Sequence, residues 1–279
     1  MTISAEQKNE RPLRIGAVSY LNSKPLIYGL GQRIREAELV LDVPSRLADS
    51  LAAGRLDVAL VPSIEFFRSP DYTIVSDACI ACQGPVLSVK LFSRTPMAEI
   101  RTLALDEGSR TSVALVQILL QEKYGVAPLL QPLAIGASFT DCDTDAVLLI
   151  GDRAVYSPPG EFCEIWDLGD QWCRWTDLPF VFAMWVARQG VEQERVAALL
   201  NTARDDGLAH LDEIVAAESA SLGLTRPQCM SYLRDNLHFR LGDRERQGLE
   251  LFQRYVFQLG LLSDEKRGAS ESRESARIG

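Results

Sequence analysis

Histidine is scarce in this chain, two residues in 279, and neither stands in a metal-ligating pattern. No unbroken apolar run reaches the roughly 20 residues a membrane-spanning helix needs. Residues Met1 to Arg11 are polar and mixed in charge, without the apolar stretch of a secretory signal, so a cytoplasmic protein with no membrane association is expected. Positive charge is short as well. Against 38 Asp and Glu stand 29 Lys and Arg, a net charge of −9, which argues against a broad basic surface for nucleic acid. An acidic ligand must then be met locally, by a few Arg side chains or a helix N-terminus. The Gly-Lys-Ser/Thr element of a Walker loop is missing, and so is the Gly-x-Ser-x-Gly elbow of a hydrolase. Of six cysteines only Cys79 and Cys82 are closely spaced, with no second pair or histidine nearby to complete a zinc site. They lie in an apolar, strand-like run and not at a helix start, so a buried structural role is expected over redox chemistry. Thiols without a disulfide framework suit a reducing compartment.

What is present alternates between strand and helix. Arg14 to Val18, Leu39 to Val43 and Asp57 to Val61 read as short strands. Between them, Asn22 and Ser23 offer cap oxygens ahead of Pro25, and Ser45 opens a helix that Gly54 ends. Such a β-α-β-α-β series predicts a parallel sheet with right-handed crossovers. Cys79 to Ser93 reads as extended, broken at Gly84-Pro85. Leu103 to Leu105, Leu129 to Leu133 and Ala146 to Ile150 read as further strands, and Ser109 as the cap of a helix through Tyr124. Pro179 to Ala187 is a long apolar strand, and the rest is helical, closing with a helix from Asp243 to Leu259. The expected fold is α/β in two lobes with a ligand cleft between them. One lobe takes residues 12–93 and 183–262, the other residues 94–182, with hinges near 91–96 and 180–187. Residues 1–11 and 263–279 read as disordered tails.

Four strand ends carry polar groups that a cleft between lobes would use. After the first strand come Ser19, Asn22 and Ser23, for which helix capping is the plainer explanation. In Gly84 to Leu91, strand alternation puts Ser88 and Lys90 on one face, as would any polar outer face. Asp106 to Ser112 joins a strand to a helix start. Ser109, Arg110, Thr111 and Ser112 there supply three hydroxyls, a guanidinium and free backbone N–H groups, a set suited to a carboxylate. A well-capped helix with an exposed Arg accounts for the same string without a ligand. Asp152 follows Leu149-Ile150-Gly151 and fits either a helix cap or a polar ligand group. His210, on an apolar helical stripe, and His238, between Leu237 and Phe239, read as structural. Trp166, Trp172, Trp175, Phe180, Phe182 and Trp185 suit core packing better than a pocket wall.

Together these strings resemble a known family. Arg14-Ile-Gly-Ala-Val-Ser-Tyr-Leu-Asn-Ser-Lys-Pro-Leu26 looks like the opening of the menaquinone-biosynthesis chorismate dehydratases. Asp57 to Glu65, Gly84 to Leu91, Ser109 to Leu115, Leu149 to Asp152 and Asp177 to Phe182 resemble their later signatures, in order, over residues 13–262. The resemblance implies a type-2 periplasmic-binding-protein-like fold and conversion of chorismate, a small-molecule substrate, to 3-(1-carboxyvinyloxy)benzoate and water. It implies no cofactor and no metal. It also implies Asn22 and Ser88 as central catalytic groups and the Ser109 to Ser112 turn as a carboxylate site. Ser19, Arg110, Thr111 and Asp152 complete the expected substrate-binding set from the strand-end reading. A sister family making 1,4-dihydroxy-6-naphthoate shares the fold, and the Ser-Tyr-Leu-Asn-Ser-Lys-Pro string favours the dehydratase. A non-catalytic solute-binding protein would call for a signal peptide. A ligand-sensing regulator would call for a helix-turn-helix, for which the eleven residues before the first strand are too few.

Overall fold

The computed structural model describes residues 12–33, 37–137, 139–155 and 162–262, and both expected tails lie outside the described residues. Strands β1 (Leu13–Val18), β2 (Ala37–Asp42), β3 (Val58–Pro62) and β4 (Thr73–Cys82) come first along the chain. Then follow β5 (Val89–Ser93), β6 (Thr102–Asp106), β7 (Leu129–Leu133), β8 (Ala146–Ile150) and β9 (Glu164–Asp167). The last two are β10 (Phe180–Ala187) and β11 (His238–Arg240). They form two sheets, one in the order β11-β4-β10-β3-β1-β2 and the other β7-β6-β8-β5-β9. Continuous apolar runs mark the strands covered on both faces, and every residue of β3, β8 and β10 is buried.

As expected, β1 runs parallel to β2 and β3. Less legible is β10, which inserts antiparallel between β3 and β4. The first sheet therefore lacks a central strand until the chain has built the second and returned. Each sheet with its helices makes one lobe of the two-lobed α/β fold.

The chain passes between the sheets at residues 83–88 and again at 168–179, which corrects the expected boundaries. Val89–Ser93 belongs to the second sheet, where Leu91 pairs with Leu148 and with Trp166, and Phe180–Ala187 lies wholly in the first. An apolar extended run looks alike as hinge or as central strand, and only its hydrogen-bond partners decide. The second crossing contains a helix, Leu168–Thr176, whose Trp172 is fully buried edge-to-face against Phe180, with ring centroids 5.2 Å apart. Cys79 and Cys82 are fully buried in β4, and burial pushes the Cys79 thiol well above its ordinary value, as suits a structural residue.

Helix Arg110–Tyr124 carries the second lobe toward the first. Ser109 caps it as the sequence predicts, its Oγ accepting from Ser112 N at 3.2 Å, and Gly125 ends it at φ +67°. Among the described residues no helix is long and apolar enough to cross a membrane.

Candidate active site

A narrow cleft opens between the two sheets at the ends of β1, β3 and β8. Its polar lining comes from Tyr20, Asn22, Ser88, Ser109 and Ser112. Its apolar lining includes Ile80, Val86, Ile150 and Phe182. None of the lining side chains is charged at neutral pH. The Tyr20 hydroxyl is pushed up to about 12, by burial first and by the nearby Asp106 carboxylate second, so it stays protonated.

Asn22 sits in a 3-10 turn, Leu21–Ile27, that leaves β1 at once. Ser23 makes that corner. Its buried hydroxyl donates to Val18 O and to Tyr20 O, and this turns Asn22 toward the cleft. Asn22 Oδ1 is buried without a hydrogen-bond partner.

Ser88 reaches the cleft by a different route from the one strand alternation suggested. It precedes β5, and Leu87 before it has φ +63°. Ser88 N donates to Val86 O at 2.8 Å, so Leu87 is the centre of a γ-turn in its rarer, strained sense. The turn is clamped by Asp167, whose carboxylate accepts from Val86 N at 2.9 Å and from Leu87 N at 2.7 Å while also capping helix Leu168–Thr176. Asp167 thus ties the two crossing segments together and presents Ser88, which is 1% exposed with an unpartnered Oγ.

Ser109 and Ser112 line the cleft from the N-terminus of their helix, with the Ser109 hydroxyl donating to Ser112 Oγ at 2.9 Å. The first-turn N–H groups of Arg110 and Thr111 have no acceptor within the helix, which makes this corner the electropositive end of an uncharged pocket. Opposite, Tyr20 packs on Gly151. A Cβ at Gly151 would lie 2.9 Å from the Tyr20 ring, and its φ is +71°, so both the close approach and the backbone require glycine.

Four expected contacts do not reach this cleft. Ser19 is exposed, and its amide continues the β1–β2 ladder to Asp42 O. Arg110 points at the first lobe, pairing with Asp49 at 2.6 Å and Glu65 at 3.3 Å, so two carboxylates already occupy the guanidinium expected to meet a ligand. Burial leaves the Glu65 carboxyl above its ordinary range despite Arg110 and Arg68 beside it. Thr111 Oγ1 accepts from Ile64 N at 3.2 Å and faces Ser63 Oγ at 3.4 Å. Asp152 accepts from Leu21 N at 3.1 Å. The last three are clasps between lobes and not cleft groups. What sequence reasoning passed over is Tyr20, inside a string already singled out, and Asp167; Phe182, expected to pack in the core, lines the cleft. Locally Asp167 reads as no more than a helix cap, because Val86 and Leu87, which it also holds, lie about 80 residues away.

Residues 13–258 match the sequence profile of a family described as menaquinone biosynthesis. The chorismate dehydratase of Thermus thermophilus is 32% identical over 260 residues, covering 87% of this chain and 94% of the relative. Among solved structures, a protein of Archaeoglobus fulgidus superposes with a TM-score of 0.71 at 16% identity, over 91% of this chain and 99% of the other. The periplasmic aliphatic sulphonate binding protein of Escherichia coli gives 0.59 at 16% identity, over 92% and 95%. The fold is therefore that of the periplasmic binding proteins.

Proposed function

The chain belongs to the menaquinone-biosynthesis family, and from that premise we infer that it is an enzyme that removes water from chorismate, giving 3-(1-carboxyvinyloxy)benzoate. The observation that carries the mechanism is the neutrality of the cleft. Chorismate bears a ring carboxylate, an enolpyruvyl ether at C3 and a hydroxyl at C4. The C3 hydrogen is acidified through the ring alkene by the ring carboxylate. Its loss gives an extended enolate, and departure of the C4 hydroxyl as water then makes the ring aromatic. The C3 hydrogen and the C4 hydroxyl lie on the same ring face, so one group can serve both steps.

No cleft side chain is a base at neutral pH, since the polar ones are hydroxyls and an amide. The substrate's enolpyruvyl carboxylate is the remaining acceptor. It takes the C3 proton and passes it to the leaving hydroxyl, so atoms and charge balance with water as the only by-product. The protein's part is then to select the conformation in which that carboxylate reaches C3. The ring carboxylate, where enolate charge accumulates, belongs at the Ser109–Ser112 turn, because hydroxyls and first-turn N–H groups already fixed in place stabilise developing charge best. Asn22 and Ser88 hold the C4 hydroxyl and the enolpyruvyl arm. Six free cysteines without a disulfide suit a cytoplasmic setting.

The experiment is incubation of purified protein with chorismate and chromatographic detection of an aromatic product one water lighter. Binding without conversion would favour a solute-binding role, and no binding would point to the sister naphthoate synthase.

A further inference from the structure

Behind the cleft wall lies a residue that neither the strand-end pattern nor the pocket lining includes. Tyr232 is 1% exposed and opens a π-helical turn, Tyr232–Asn236. Such turns place one extra residue per turn and recur at functional sites. Asn236 Nδ2 donates to Pro85 O at 2.9 Å, which pins this turn to the segment that carries Ser88.

Five buried side-chain polar atoms among the described residues lack a hydrogen-bond partner, and three of them gather here: Tyr232 OH, Ser88 Oγ and Asn22 Oδ1. A buried polar group left unpaired has given up its water for nothing, which destabilises the fold. Three such groups in one place are a network waiting to close. The Tyr232 hydroxyl neighbours both Ser88 and Asn22, and burial pushes its pKa well above the ordinary value. It stays protonated, so it is a donor and not a base. Asn22 Oδ1 can only accept. With Oδ1 as the buried end of that amide, Nδ2 is the end left for the cleft.

We propose that Tyr232 is a positioning residue for the dehydration, its hydroxyl bridging Ser88 Oγ and Asn22 Oδ1 when substrate fills the cleft. The Tyr232 O–H donates to Asn22 Oδ1, which fixes the amide with Nδ2 toward the substrate's C4 hydroxyl. Its lone pair accepts from Ser88 O–H, which leaves the Ser88 lone pairs to the ligand. Contacts of this kind are often long before substrate binds and tighten in the complex. The inference rests on the dehydratase reading given above.

Tyr232→Phe tests it, because the ring and its packing are kept and only the hydroxyl goes. Steady-state kinetics on chorismate and thermal unfolding are measured on the same preparations of wild type, Tyr232→Phe, Asn22→Ala and the double variant. We expect kcat to fall about ten- to a hundredfold in Tyr232→Phe, the usual range for a group that orients another from behind. KM and the shape of the pH profile should hardly change. Melting should be unchanged or higher, since an unpaired buried hydroxyl has been removed. The double variant should be no slower than Asn22→Ala. An active wild type with kcat retained in Tyr232→Phe, or a double variant that loses the product of both effects, overturns the role of Tyr232 alone. A fall in melting that accounts for the lost activity makes the residue structural and overturns it too. A wild type that does not convert chorismate removes the dehydratase reading and this inference with it.

Discussion

Replacing Asp167 by Ala should disable the enzyme from outside its cleft, because that carboxylate holds Ser88 in place. It accepts Val86 N, Leu87 N and Asp170 N at 2.9, 2.7 and 3.1 Å. A hydrogen bond to a charged acceptor contributes about 1.5–3 kcal/mol, and loss of a helix cap costs about 1 kcal/mol. Leu87 at φ +63° works against them at about 1–3 kcal/mol. Burial also raises the Asp167 carboxyl above its ordinary range, so part of the gain is already spent on desolvation. The sum falls at roughly 3–5 kcal/mol of lost stability. In a chain of this size that lowers Tm by about 6–20 °C. Without the clamp the γ-turn opens to an extended form and carries Ser88 out of the cleft, so kcat should fall about as far as in Ser88→Ala, on the order of 10²-fold. Adding Leu87→Gly removes the left-handed penalty of about 1–2 kcal/mol and should restore part of both losses. Calorimetric melting and chorismate turnover on wild type, Asp167→Ala and Asp167→Ala/Leu87→Gly decide the matter. Full kcat in a destabilised Asp167→Ala, or no recovery with glycine, would refute the link between the clamp and Ser88.

Asn22→Ala and Ser88→Ala should each lower kcat about 10²–10³-fold with little change in melting, since Asn22 Oδ1 and Ser88 Oγ are buried without a hydrogen-bond partner; near-normal turnover in both would remove them from the mechanism. Gly151→Ala should raise KM and cost about 1–2 kcal/mol in denaturant unfolding, because the new Cβ meets the Tyr20 ring at 2.9 Å from a backbone at φ +71°; unchanged binding would mean Tyr20 does not shape the site. Burial holds the Asp152 carboxyl above its ordinary range. The associated stability is complete below about pH 4 and is lost as pH rises through the raised folded value. Asp152→Asn keeps an acceptor for Leu21 N and drops the titration, so its denaturation midpoint relative to wild type should climb as pH rises above about 4; a relative fall would reverse the assignment.

Local chemistry was legible where a residue answers to its neighbours in sequence. The runs at Val58–Pro62, Ala146–Ile150 and Phe180–Ala187 announce strands by composition, and Ser109 announces a helix start by its spacing to Ser112. Asn22, Ser88, Ser109 and Ser112 do meet in one cleft. What stayed hidden answers to distant partners. Leucine seldom takes a positive φ, so nothing in Val86-Leu87-Ser88 betrays a γ-turn whose clamp is Asp167. The Arg110 guanidinium has the chemistry of a carboxylate receptor. Its carboxylates turned out to be Asp49 and Glu65 of the other lobe, which only tertiary packing could reveal. The same holds for β10, whose place at the centre of the first sheet depends on a chain that leaves and returns.

The central claim is that an uncharged cleft dehydrates chorismate with the substrate's own side-chain carboxylate as base. Turnover of chorismate, measured beside turnover of its enolpyruvyl methyl ester, tests that most directly. Chorismate should be converted to the aromatic ether, and the ester should compete for the cleft without being converted. Absence of product from chorismate, or dehydration of the ester at a comparable rate, would contradict it.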